Sequence, residues 1–227
     1  MQYLVVIPAR GGSKGVLKKN IKELDGKPLI QYTLEAARSV FNDDEICVST
    51  DSLEIKKVVE SIGLKVPFLR PKNLATDSSS TYDVLLHALD YHNKLGYFPS
   101  VVVLLQVTSP FRTGKHIEEA LALYTADLDM VVSVKETQSN PYYVLFEETK
   151  EGWLKKSKNA AFTRRQDCPK VWEYNGAVYV INTKTLIDKP LHLFEKIKKY
   201  EMDEESSLDI DTPLDWKIAK TIIDSSK

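Results

Sequence analysis

Tyr3-Leu4-Val5-Val6-Ile7-Pro8-Ala9-Arg10-Gly11-Gly12-Ser13-Lys14-Gly15 is an apolar run that breaks, without a linker, into a cationic, glycine-containing turn. A short continuous apolar run of this kind is typical of a strand covered on both faces. Glycines let backbone amides approach an anion closely, and successive amides in a tight turn form an anion-binding concavity. The junction at Pro8 therefore predicts a buried strand whose carboxyl end delivers positive charge and bare backbone to one place.

Working outward, residues 28–41 place Ile30, Leu34, Ala37 and Phe41 on one helical face behind Pro28, a good first-turn residue. Residues 45–50 read as a second strand, and Asp51 or Ser52 can cap a helix with the inner stripe Ile55, Val58, Val59 and Ile62. Residues 66–69 predict a short third strand. Val84, Leu85, Ala88 and Leu89 mark a further helix, 101–106 is the most strand-like run, and 114–124 is helical. This alternation implies an α/β protein with a parallel sheet and helices on both faces, since parallel strands need crossovers that cover both sides. After 130–134 the rhythm changes. Residues 138–174 are rich in aromatics (Tyr142, Tyr143, Phe146, Trp153, Phe162, Trp172, Tyr174) and read as an antiparallel excursion inserted into a single domain spanning 1–227. A strand at 177–181 returns to the core, and a last helix starts near Pro213.

The 227 residues suffice for a substantial core, and 31 basic against 32 acidic side chains leave a net charge of −1. No global field would hold this chain on nucleic acid or a membrane, and no apolar run approaches the ~20 residues of a membrane span. Cys47 and Cys168 form neither a disulfide framework nor a metal-ligand spacing, which suits a reducing cytoplasm.

Charge is nevertheless concentrated. Arg10, Lys14, Lys18, Lys19, Lys22 and Lys27 face only Glu23 and Asp25 across 10–27, a density that suits a polyphosphate. The segment matches neither the Walker A loop nor Gly-x-Gly-x-x-Gly. Between 201 and 211 lie six acids and no cation. Alternation in an extended segment places Asp209 and Asp211 on one face, where two carboxylates can share Mg²⁺ with phosphate oxygens and water. In the bland alternative Asp211 merely caps the final helix ahead of Thr212-Pro213.

Taken together, the stretches at 7–37, 49–51 (STD), 70–80 (RPKNLATDSSS), 104–113 (LLQVTSPFRT), 164–166 (RRQ), 175–180 (NGAVYV) and 208–216 (LDIDTPLDW) resemble the sialic acid (acylneuraminate) cytidylyltransferase family, in the family's order and over nearly the whole chain. The resemblance implies a three-layer, Rossmann-like nucleotidyltransferase with a mainly parallel central sheet and a small dimerisation excursion at about 138–174. It implies transfer of CMP from CTP to a nine-carbon 2-keto sugar acid with release of pyrophosphate, Mg²⁺ as cofactor, and a cytoplasmic homodimer.

By the same resemblance, Arg10, Lys14, Lys19 and Asp211 are the catalytic residues. Arg10, Gly11, Gly12, Ser13, Lys14, Lys19, Asn20, Arg70, Ser79 and Thr81 bind the nucleotide, and Asp209 and Asp211 the metal. Gln106, Arg165, Asn175 and Tyr179 surround the sugar acid, with Arg165 able to grip its carboxylate bidentately. Leu193 and Phe194 line the partner's sugar pocket. Residues 141–146 and Glu173 depart from the neuraminate pattern, so N-acetylneuraminate, legionaminate and pseudaminate all remain open as acceptors. The competing class is a nucleotide-binding module of the same fold without turnover. A nicotinamide oxidoreductase is disfavoured by the missing glycine fingerprint.

Overall fold

The computed structural model describes residues 1–13, 15–76 and 79–225. Its centre is a sheet in the order β10-β6-β9-β5-β1-β4. The strands are β1 (Tyr3–Pro8), β4 (Ile46–Ser49), β5 (Val101–Leu104), β6 (Met130–Glu136), β9 (Trp172–Asn182) and β10 (Ile197–Glu201). Two short ladders, β2 (Glu23–Leu24) with β3 (Lys27–Pro28) and β7 (Phe146–Glu148) with β8 (Leu154–Lys156), lie outside it.

Strand β1 sets the layering. Val5 and Ile7 point to one face and Leu4 and Val6 to the other, all fully buried. The first face packs against α1 (Leu29–Arg38), α2 (Leu53–Ser61), α4 (Gly114–Ala122) and α6 (Pro213–Ser225) through Leu34, Ile55, Ile117 and Trp216. The second packs against α3 (Thr81–Lys94) and α5 (Thr183–Asp188) through Leu85, Leu89 and Leu186. The result is the three-layer α/β arrangement expected from the alternating pattern, with a mainly parallel sheet. β1 runs parallel to β4 and β5, and β6 to β10, while β9 is antiparallel to both its neighbours. No helix among the described residues is long and apolar enough to cross a membrane.

Two expectations are corrected. Residues 66–69 are not a strand: Val66 is buried, but Pro67 has no N–H to donate, and the segment is tied beside β4 by the Arg70 amide to the Thr50 carbonyl (2.7 Å). β10 was not anticipated, because Lys196, Lys198 and Lys199 mask its pattern; lysines are common on an edge strand, which they protect from further pairing. Strand β9 is also longer than 177–181, and between Val132 and Val134 its register with β6 shifts at a bulge where Gly176 has a φ of +76°.

The chain places β4 on one side of β1 and β5 on the other. The carboxyl ends of β1 and β5 therefore flank the point where strand order reverses, the usual position of a ligand crevice in open α/β sheets.

Candidate active site

A cleft of about 560 Å³ opens at that point, lined among others by Pro8, Arg10, Ser13, Gly15, Lys19, Asn20, Arg70, Ser79, Thr81, Gln106 and Asp211. The basic loop is built from β1 outward. The Ala9 amide extends the pairing with β4 by donating to Ser49 O (2.9 Å), and the buried Asn20 side chain closes the loop by donating from Nδ2 to Arg10 O (2.9 Å). Gly11 departs from expectation. Its amide donates to Asp51 Oδ1 (2.9 Å), so it serves the loop's own fold rather than facing the cleft. Asp51 in turn lies 3.8 Å from the Arg70 guanidinium, which is almost wholly buried. Gly12 is exposed, and a Cβ there would meet nothing within 4 Å. Lys14 lies outside the described residues.

The acidic arm meets this loop directly. Lys19 Nζ donates to Ile210 O (2.6 Å) and to Asp211 Oδ1 (2.7 Å), joining residues 192 positions apart. The arm is held by the Ile210 amide on Thr108 O (2.8 Å), which aligns it with the loop after β5. Sequence reasoning missed Gly15 here. A Cβ on Gly15 would sit 2.0 Å from Asp211 O, so only glycine allows the two segments to approach this closely.

Asp211 does not cap the last helix. Asp215 does so instead, its Oδ2 accepting the amides of Asp211 (3.0 Å) and Thr212 (2.7 Å), while Thr212 Oγ1 accepts the Asp215 amide (3.3 Å). The Asp211 carboxylate is thus relieved of a structural task and its side chain is 69% exposed beside Lys19. Asp209 points inward. Its Oδ1 is buried and makes no hydrogen bond of good geometry among the described residues; burial raises its carboxyl above the ordinary range, the Thr108 hydroxyl close by opposes that rise, and the Asp211 charge adds to it.

At the other end of the cleft, Ser79 Oγ donates to Asn73 O (3.0 Å) and accepts the Thr76 amide (3.1 Å), tying Ser79 to the 73–76 turn at the cleft wall. Ser80 caps α3 by accepting the Asp83 amide (3.1 Å), and Thr81 presents the helix's positive N-terminus to the cleft. Burial pulls the Arg70 guanidinium below its usual value; Asp51 opposes that shift and Arg10 adds to it.

The residues expected around a sugar acid are scattered by comparison. Gln106 lines the cleft. Tyr179 is outside the lining but within electrostatic reach of Asp209, and burial pushes its phenol up to about 12, with Tyr174 and Asp209 adding to the shift. Asn175 turns into the protein. Its Oδ1 accepts from Ser133 Oγ (2.6 Å) and the Ala177 amide (3.1 Å), and its Nδ2 donates to Ser207 Oγ (2.9 Å). That side chain thereby holds the β9 bulge. Arg165 is exposed on the excursion in a 3-10 turn (Arg165–Asp167), away from the cleft lining. Phe194 also departs from expectation. It is 7% exposed and packs into its own chain's core, whereas Leu193 is 52% exposed.

Comparison with known proteins gives a consistent picture. A family model described as Cytidylyltransferase matches residues 4–222. The CMP-N,N'-diacetyllegionaminic acid synthase of Legionella pneumophila is 33% identical over 225 residues, covering 99% of this chain and 97% of that protein. The N-acylneuraminate cytidylyltransferase of Streptococcus agalactiae serotype V is 37% identical over 222 residues, covering 95% of this chain but 52% of that protein, so the chain spans about half the length of that relative. Among solved structures, a CMP:2-keto-3-deoxy-manno-octonic acid synthetase complexed with CTP superposes with a TM-score of 0.72 at 19% identity, covering 100% of both chains. A 4-diphosphocytidyl-2C-methyl-D-erythritol synthase from Anaerococcus prevotii superposes at 0.65 with 14% identity over 98% of both. These two structures share the fold. From the match over almost its whole length, and from full-length relatives above 30% identity, the chain belongs to the cytidylyltransferase family.

Proposed function

We propose that this protein transfers CMP from CTP to a nine-carbon 2-keto sugar acid, releasing pyrophosphate. The observation that carries the reading is the meeting of the basic loop and the acidic arm at one cleft, where Lys19 bridges to Asp211. The names of the legionaminate and neuraminate relatives support the acceptor class. In the reaction the anomeric hydroxyl oxygen bonds to the α-phosphorus, the bond from that phosphorus to the bridging oxygen breaks, and the hydroxyl proton is lost as pyrophosphate leaves.

Such a transfer needs positioning and charge neutralisation more than covalent help from the protein. Arg10, Ser13 and Lys19 face the same cleft and would hold the triphosphate oxygens. Arg70, the Ser79 wall and the N-terminus of α3 at Thr81 enclose the end assigned to the cytosine and its sugar. Gln106 and Tyr179, at the β5–β9 side, face the acceptor, and Arg165 would reach its carboxylate from the excursion.

The acidic arm fits Mg²⁺: Asp209 keeps a buried oxygen without a hydrogen bond of good geometry and Asp211 is freed from capping by Asp215. Asp209 and Asp211 would hold the ion, which when bound supplies neutralisation of the phosphate charge. Among the described residues no cluster of three acidic, histidine or cysteine side chains stands ready for a metal, in keeping with an ion that takes its remaining ligands from phosphate and water.

A homodimer belongs to the same reading. The excursion exposes Phe146, Trp153 and Leu154, the last two above 70%, a large apolar face to leave in water. The unpaired cysteines suit a cytoplasmic location. The deciding experiment incubates the purified protein with CTP, Mg²⁺ and a panel of nonulosonic acids and measures pyrophosphate and CMP-sugar. Turnover with one or more acids is expected, and the panel ranks neuraminate against legionaminate and pseudaminate. Binding of CTP with no pyrophosphate from any acid would instead establish a binding module.

A further inference from the structure

Arg112 lies in the loop that leaves β5, and its side chain turns back beneath the cleft. It is 2% exposed. Its Nη1 donates to two backbone carbonyls, Gln106 O (3.0 Å) and Ala177 O (3.1 Å). Its Nε and Nη2 have no partner among the described residues, and no carboxylate among them offsets its burial. A buried cation without a counter-ion is an expensive way to tie two loops together, and simple packing of an apolar side chain would serve stability at lower cost.

The two carbonyls explain its placement. β5 and β9 pair antiparallel as far as Leu104 with Tyr179, and two steps further the same register sets Gln106 opposite Ala177. There the ladder has ended, and Arg112 Nη1 donates to the two carbonyls that no longer have a partner strand at the cleft wall. The Gln106 carbonyl also receives a long contact from the buried Thr33 hydroxyl (3.4 Å). On the other side, the Gln106 side chain rests on the β9 bulge: a Cβ on Gly176 would lie 3.1 Å from Gln106 Oε1. The bulge itself is locked by Asn175 through Ser133 and Ser207.

We propose that Arg112 is a positioning residue for the acceptor, clamping the ends of β5 and β9 so that the Gln106 amide is presented to the sugar acid at a fixed angle. This rests on the reading that Gln106 meets the acceptor. Charge-assisted bonds from the one nitrogen Nη1 set both carbonyls at once, and the planar guanidinium holds that nitrogen in place more rigidly than the flexible stem of a lysine or the weaker dipole of a neutral amide would.

The test measures acceptor KM, CTP KM and kcat for Arg112→Lys and Arg112→Gln, alone and combined with Gln106→Ala, with thermal melting of each. The expected result is an acceptor KM raised about tenfold with CTP KM within about twofold, and loss of the Arg112 effect once Gln106 is alanine. Gly176→Ala, whose methyl would crowd Gln106 Oε1 and strain the bulge next to the Ala177 carbonyl, should also raise the acceptor KM selectively, with a lower Tm. Equal rises in both KM values, or an Arg112 effect undiminished in the Gln106→Ala background, would overturn the proposal. So would failure of both Arg112 variants to fold, which would make the clamp purely structural. An unchanged acceptor KM in Gln106→Ala alone would instead overturn the premise that Gln106 meets the acceptor.

Discussion

Replacing Gly15 by alanine probes the contact on which the active site depends. The added methyl would begin 2.0 Å from Asp211 O and 3.1 Å from the Asp211 carbonyl carbon, both backbone atoms that no rotamer change can remove. Real Cβ contacts essentially never fall below 3.0 Å, so the basic loop and the acidic arm must separate by roughly 1 Å or more. The two bonds that Lys19 makes across this seam, 2.6 Å to Ile210 O and 2.7 Å to Asp211, cannot both survive such a shift. A displacement of that size between the groups proposed to grip one triphosphate should cost about 100-fold in rate, or about 2.7 kcal/mol of transition-state stabilisation. The accompanying overpacking should cost about 1–3 kcal/mol of stability, a fall of several degrees in Tm. Continuous pyrophosphate detection with CTP and the preferred acid gives kcat/KM, and melting gives the stability term. Gly12→Ala is the matched comparison, because its methyl meets nothing within 4 Å, and its loss should be severalfold smaller. A Gly15→Ala enzyme within threefold of wild type, with an unchanged Tm, would refute the reasoning.

Asp211→Asn should lower turnover by about 100-fold or more while changing Tm little, since its side chain is largely exposed and the helix cap belongs to Asp215; near-normal kcat in saturating Mg²⁺ would remove it from the metal site. Arg165→Ala should raise the acceptor KM far more than the CTP KM, and equal effects would contradict a grip on the sugar carboxylate. Asp129→Ala tests the β6–β10 edge: its Oδ2 accepts the amides of Glu195 (2.8 Å) and Lys196 (3.1 Å), and those bonds hold its carboxyl below the ordinary range. A depressed folded value means the stabilisation is present above the ordinary carboxylate range and lost as pH falls through the folded value. The variant should therefore melt below wild type at neutral pH by an amount equivalent to about 1–3 kcal/mol, with the gap closing in acid; a gap independent of pH would assign the loss to packing.

Much of the scaffold was legible locally. The run at 4–7 and the helical stripes at Ile30, Leu34 and Ile55, Val59 record burial directly in their pattern, and the structure buries all of them. Where local signals misled, a competing term is identifiable. At 66–69 the missing Pro67 donor outweighed apolar composition, and at 197–201 edge-strand lysines hid a real strand. Gly11 resembled an anion-binding glycine, yet its amide is taken by Asp51, a residue 40 positions away. Asn175 carried a turn-like signal with Gly176 but spends its amide on the bulge beneath the cleft.

By itself the sequence determined the alternation of strands and helices, the strand-end position of the cationic loop and the existence of a paired acidic arm, because period, turn chemistry and charge act over a few neighbouring residues. Only the tertiary structure decided that Lys19 meets Asp211, that Gly15 is the glycine their approach requires, and that Arg112 closes the ends of two strands. Those contacts join segments from 6 to almost 200 residues apart, and their geometry depends on strand order and register across the whole sheet, which no local window of sequence contains.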